Sequence, residues 1–455
     1  MNRRFLLVLF FVIAAPLLAH AAEPLRVGVF DVDASPPLGT PMAYDPTKGV
    51  ETPLSCRGIL LVGSEQPIVI CALDWIGLAN GGQSLFREKL AAAAGTVPER
   101  VVVHTLHQHD APRCDFAADA LLHQQYGLSG AGFDLAFCRD VVNRAAAAVK
   151  QATTDASPVT HVGLGIGEVE MVASNRRILG PDGKVQHVRW TATSDPAVRA
   201  FPVGTIDPQL KLISFWKDEK PIAALTFYAT HPQSYYRTGL ANPDFPGLAR
   251  NARQQETGVP HVHLNGAGGN IGAGKWNDGS PENRQVLADR VAAGMKVAWE
   301  QTKKEPVTAA DVHWSVEPVL LPVSKHMDAE KLEQVVSNSD AKPQDRFTAA
   351  QDLVWLRRCQ KGETIDIACL AVKNARVLFM PGELFVEYQL NAQQARPDLF
   401  VAMAAYGEYG PGYIGTKVAY DEGGYETGPG ASHVAPDVEG VLMGAVRKLL
   451  EVPDK

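Results

Sequence analysis

Short apolar runs bounded by turn-forming residues recur along the chain. They predict strands over 25–30, 58–62, 68–73, 101–106, 210–216, 223–228, 377–380 and 400–404. The runs are rich in β-branched and aromatic residues, which suit a pleated, packed surface. Longer stretches with helical spacing predict helices over 84–94, 134–152, 281–303 and 438–450. Before the third of these, Ser280 stands as N-cap and Pro281 as first helical residue, where proline's missing N–H costs nothing. This interleaving predicts an α/β fold built from mixed α+β layers. No Pro/Ser linker, low-complexity tract or sequence repeat marks a boundary, so residues 22–455 are expected to form one large catalytic domain.

The N-terminal apolar run is of another kind. Arg3 and Arg4 precede an apolar stretch over 5–18, and Ala19, His20 and Ala21 form a small-residue cleavage pattern. The stretch falls short of the ~20 residues a spanning helix needs. It reads as a secretory signal peptide over 1–21, which implies a periplasmic or secreted protein with no transmembrane anchor after cleavage. Losing those two arginines takes the formal charge from −7 to −9, and nothing in the charge distribution suggests nucleic acid. Six cysteines suit an oxidising compartment. Cys359 with Cys369 and Cys114 with Cys138 are the expected bridges, while Cys56 and Cys71 bracket a hairpin and either pair or remain buried thiols.

Three of the predicted strands run into segments with the residue types that zinc hydrolysis requires: HQHDAP at 107–112, ATHPQSYY at 229–236 and MPGELF at 380–385. Hydrolytic zinc takes roughly three protein ligands and keeps one position for water, whose pKa it lowers toward about 7. Two histidines and Glu383 meet that demand, and a strand end combines fixed position with access. A histidine near a strand end is nonetheless more often a hydrogen-bonded structural residue than a ligand. His261 and His263 in HVHLNG fall under that reading, and position alone does not separate His107 from His109.

The order and spacing of the segments resemble the neutral/alkaline non-lysosomal ceramidase family. That family carries a HTHSGP-type segment, an HPTSM-type histidine, a Gly-Asp-Val-Ser-Pro-Asn loop, a PGE segment and a paired-tyrosine tail. Here these appear in the same order as HQHDAP, HPQSY, GGNIGAG, PGE and GYIGTKVAYDEGGYE, after an opening VGVFDVDASPPLGTPM that is also similar. The resemblance implies a ceramidase-like domain whose zinc ligands are His107, His231, Glu383 and Tyr413. It further implies catalytic roles for His109, Tyr425 and Arg176, with Asp110 and Asn270 on the substrate side.

Two departures bear on substrate. Gly272 stands where the family has its loop serine, and Asp110 replaces a small hydroxyl residue. The family's C-terminal immunoglobulin-like module is also expected to be missing. The expected activity is therefore zinc-dependent cleavage of an amide, an N-acyl group on a small-molecule, lipid or glycan substrate other than ceramide. A serine at 272 is expected to crowd its loop. The competing readings are a lyase or glycan-processing enzyme on the same zinc scaffold, and a zinc-containing binding protein without turnover.

Overall fold

The computed structural model describes residues 24–63 and 65–453, so the expected signal peptide lies outside the described residues. No described helix is long and apolar enough to cross a membrane. Three sheets dominate, and each contains the same device: an antiparallel hairpin, a helix, then a strand that returns parallel to the hairpin's second strand. In the first sheet, Ser55–Val62 pairs with Ile68–Leu73, helix Gly81–Ala94 crosses over, and Val101–Thr105 lies parallel to Ile68–Leu73. In the second, Gln209–Lys217 and Lys220–Tyr228 form the hairpin, Asp244–Thr257 the crossover, and His261–Asn265 the parallel edge. In the third the same parts are Ile365–Val372, Ala375–Phe379, helix Val386–Ala395 and Phe400–Ala404.

Side-chain alternation explains why these strands read as continuous apolar runs. Along Ile68–Leu73, residues Ile68, Ile70 and Ala72 join a central cluster, while Val69, Cys71 and Leu73 face an outer one. The central cluster also takes Ile213, Phe215 and Leu225 from the second sheet and Leu370, Val377 and Phe379 from the third. Outside, helices close each wall: Phe86 and Val141 on the first, Leu287 and Val291 on the second, Leu442 and Val446 on the third. Sheets covered on both faces need apolar residues at successive positions. The mixed layers expected from the sequence are thus three sheets around one interior, with helices outside.

Strand His161–Glu168 was not expected, because glycines at 163, 165 and 167 lower strand propensity. Close packing explains them. A Cβ at Gly165 would lie 1.9 Å from the Ala298 carbonyl oxygen and one at Gly167 2.1 Å from that of Gly294, so the glycines admit helix Pro281–Glu300 against the sheet. That helix starts as expected at Pro281, but the Ser280 side chain makes no capping bond.

All six cysteines are buried free thiols, which corrects the expected bridges. Cys56 Sγ lies 3.5 Å from Cys71 Sγ on the neighbouring strand, and Cys138 neighbours Cys114, whose thiol pKa burial raises first and Cys138 next. Cys359 and Cys369 instead sit in the third wall's outer cluster, packed as small apolar side chains.

Candidate functional site

His107 leaves the end of strand Val101–Thr105 in the left-handed region, at φ 64, a conformation that non-glycine residues adopt at a cost. Two bonds hold it there: its amide donates to the Trp75 carbonyl at 2.9 Å and its Nδ1 to the Ile76 carbonyl at 2.6 Å. A carbonyl only accepts, so the ring proton sits on Nδ1 and the Nε2 lone pair is free. It faces Glu383 Oε2 at 3.3 Å. His231 follows strand Lys220–Tyr228, with its amide bonded to the Ile271 carbonyl at 3.2 Å. Its Nδ1 lies 3.8 Å from the same Glu383 oxygen.

Glu383 is fixed from the third wall. Its backbone pairs with Tyr413, its amide donates to the Gly412 carbonyl at 2.9 Å, and Oε1 accepts from the Tyr409 hydroxyl at 3.2 Å. Gly382, at φ 61, makes the turn; a Cβ there would come within 2.5 Å of the Gly412 oxygen. Tyr413 stacks parallel to His231 at 6.2 Å, and its hydroxyl accepts from Arg176 at 3.2 Å.

The donor atoms that converge are orphans. His107 Nε2, both ring nitrogens of His231 and Glu383 Oε2 are buried without a hydrogen-bond partner, although the His231 ring approaches the Gly268 carbonyl. Buried polar atoms are nearly always paired, so the orphans that converge, His107 Nε2, His231 Nδ1 and Glu383 Oε2, fit a cation held among them. The Nδ1–carbonyl bond of His107 is also the usual way a ligating imidazole is oriented.

His109 differs. One of its ring nitrogens lies within 4.8 Å of one from each of His107 and His231, so it belongs to the same cluster. Yet both have partners: the Tyr44 hydroxyl at 2.9 Å on Nδ1 and the Gln233 amide on Nε2. That distinction, which sequence position did not supply, separates the two histidines of HQHDAP. Burial, then the neighbouring His107 and Arg176, pushes the His109 pKa well below the usual imidazole range. The same causes keep His231 neutral. Burial and then Glu383 raise the Tyr413 phenol.

Arg176 lies behind Tyr413, with Nε 3.3 Å from the buried Glu426 carboxylate. Burial alone would lower its pKa, but Tyr413 and Glu426 outweigh it, so the guanidinium stays charged. Tyr425 is 47% exposed at the rim, its ring 5.7 Å from Tyr413 and 5.5 Å from the exposed Trp190. Tyr44 and Tyr236, 5.0 Å apart, stand at the His109 side.

The other two expected residues point elsewhere. The Asp110 carboxylate accepts from the amides of Arg237 and Thr238 and from the Thr238 hydroxyl, and so anchors that loop. Asn270 is engaged on both sides of its amide, donating to Glu387 at 2.8 Å and accepting from the Val386 amide at 2.9 Å. It ties the glycine loop to helix Val386–Ala395. His261 and His263 are structural: His261 Nδ1 donates to the Val259 carbonyl, and His263 bonds Thr226 and Asn265.

At Gly272 the expected crowding does not arise. A Cβ there would meet only Cδ and Cγ of Arg176 at 3.5 Å, an ordinary contact. Residues the sequence reading missed include Tyr406, stacked on His107 at 4.6 Å, and Tyr409. Both follow strand Phe400–Ala404, the same strand-end signal that marks His107 and His231. A cavity of about 150 Å³ opens beside Glu383, Tyr409, Tyr413 and Tyr425 and extends to Arg113, Asp352 and His433.

No family model and no curated protein matches the chain in sequence. Solved structures do. A ceramidase described as complexed with C2 aligns at a TM-score of 0.68 with 17% identity, covering 95% of this chain and 76% of that one. Neutral ceramidase from Pseudomonas aeruginosa aligns at 0.68 with 18% identity, covering 96% and 76%. The chain shares the ceramidase fold and is a strongly divergent example of it.

Proposed function

We propose that the protein is a zinc-dependent amidohydrolase that cleaves an N-acyl bond, acting in the periplasm or outside the cell after loss of residues 1–21. The observation that carries this reading is that the buried, unpartnered His107 Nε2 and His231 Nδ1 lie 3.3 and 3.8 Å from the equally unpartnered Glu383 Oε2. These residues, with Tyr413 as a fourth donor, would hold the metal. Bound there, zinc supplies Lewis-acid activation of water and of the amide carbonyl.

The chain's own groups account for the rest. Arg176, charged and fixed by Glu426 and Tyr413, and the Tyr425 phenol are donors for the negative charge that develops on the carbonyl oxygen. His109, neutral at rest and braced by Tyr44 and Gln233, would take up the proton that the attacking water loses and pass it to the departing amine. The secretory reading rests on Arg3, Arg4 and the apolar run after them.

Metal analysis and amine release from N-acyl substrates test the proposal together. The expected results are about one zinc per chain, lost in Glu383→Gln, and turnover that falls roughly 10²-fold in Tyr425→Phe with zinc retained. Tyr413→Phe should weaken zinc instead. Full zinc occupancy in the alanine variants of His107, His231 and Glu383 would remove the site. An unsaturated product from a uronate substrate, with no free amine, would favour the lyase reading.

A further inference from the structure

Six residues after His107, the same loop delivers Arg113 into the 150 Å³ cavity that Glu383, Tyr409, Tyr413 and Tyr425 also line. Its backbone is held in a short parallel pairing with Gly77. Its guanidinium has no carboxylate within ion-pairing distance among the described residues, and Nε is buried without a partner. It packs over the Phe347 ring at 5.5 Å and beside the Gln344 amide, which accepts from Arg113 once its oxygen faces the guanidinium. Asp352 and Asp115 stand near enough to favour its charge but beyond ion-pairing distance. Asp352 faces His433 at 3.6 Å, and Asp115 accepts from Asn80 and caps helix Phe116–Tyr126.

A guanidinium largely withdrawn from water, with no carboxylate in direct contact, gains from an anion that arrives to share its fork of donors. We infer that Arg113 is the receptor for a carboxylate on the substrate, so that the cleaved amide bears a short acyl arm ending in a second carboxyl group. The cavity beside Arg113, about 150 Å³, has room for a short dicarboxylic acyl group. The more open aromatic rim of Trp190, Tyr425, Tyr44 and Tyr236 is left for the amine portion. In the reaction, water adds its oxygen to the acyl carbon, the C–N bond breaks, the amine takes a proton, and a free dicarboxylate remains.

This inference rests on the amidohydrolase reading for its reaction but not for its binding, and calorimetry on the zinc-loaded protein separates the two. Dicarboxylates from malonate to adipate are compared with monocarboxylates of equal length, which share one carboxylate but offer nothing to Arg113. The best dicarboxylate should bind at least 10-fold tighter than its monocarboxylate counterpart. Arg113→Gln should lose roughly 10- to 100-fold for that ligand alone, with Arg113→Lys in between. Equal binding of the two series by the unaltered protein would overturn the inference, whatever the variants do. N-succinyl and N-acetyl derivatives of one amine then report on the reaction. Amine release from neither sinks the hydrolase reading while the binding result stands.

Discussion

Asp74 and Glu383 both follow the second strand of a hairpin, one in the first sheet and one in the third, and both are buried. Asp74 is saturated. Arg250 grips it through two nitrogens at 2.6 and 2.9 Å, and Ser55 adds its amide and hydroxyl at 2.8 and 2.7 Å. Glu383 has one phenolic donor on Oε1 and none on Oε2. Equivalent places in a repeated topology thus hold one carboxylate as architecture and one as an open valence. Burial and charge alone do not distinguish them; the partner count does.

The largest effect expected from this contrast is on stability. Asp74→Ala leaves Arg250 buried and uncompensated, and breaking such a pair from one side costs about 3–5 kcal/mol. Glu383→Gln in metal-free protein removes an orphan charge, so its stability should stay within about 1 kcal/mol of the parent. Urea unfolding of both variants in the presence of a chelator measures this. If Glu383→Gln is the more damaging, the carboxylate is structural and the contrast collapses.

Acid sharpens the same contrast. Burial holds the pKa of His104 and His261 at about 4 and that of His263 at about 3, so all three are neutral in the fold. Unfolded histidine titrates near 6.5, so below that pH the unfolded chain binds more protons and stability falls as pH falls. The loss is about 1.4 kcal/mol per pH unit for each histidine, from pH 6.5 down to its folded pKa. Although burial opposes it, Arg250 keeps the Asp74 carboxyl below its ordinary range. Its contribution is therefore intact through that window and is lost only below about pH 4. Stability that is flat between pH 6.5 and 5 would contradict the assignment of these histidines as buried and neutral.

What the sequence made legible follows from the same physics. Strands 68–73 and 400–404 were found to the residue because both faces are covered and every position is apolar. His161–Glu168 was hidden because its glycines answer to a helix more than a hundred residues away. In the site, strand ends and motif order pointed to His107, His231 and Glu383. The bland state of Asp110 and Asn270, and the unpaired guanidinium of Arg113 in its cavity, were not legible: each depends on which distant groups stand opposite, and sequence spacing does not encode that. The misreading at Gly272 has the same origin.

Two glycines in one loop supply the smallest effects. A Cβ on Gly269 would sit 2.2 Å from the Glu383 carbonyl oxygen, against backbone that cannot yield without moving Glu383 itself. Gly269→Ala should therefore cost about 1–3 kcal/mol and weaken zinc. Gly272, three residues on, is another matter, because its would-be Cβ meets only the aliphatic stem of Arg176 at 3.5 Å, and Ser174 across the strand pairing already satisfies its carbonyl. Gly272→Ser should fold with a stability change of no more than about 0.5 kcal/mol and retain zinc. Its hydroxyl would stand beside Arg176, on the substrate side, so any change belongs in KM or in the choice of acyl group. Loss of zinc in Gly272→Ser comparable to that in Gly269→Ala would show that the whole loop, and not the contact at Gly269, supports Glu383.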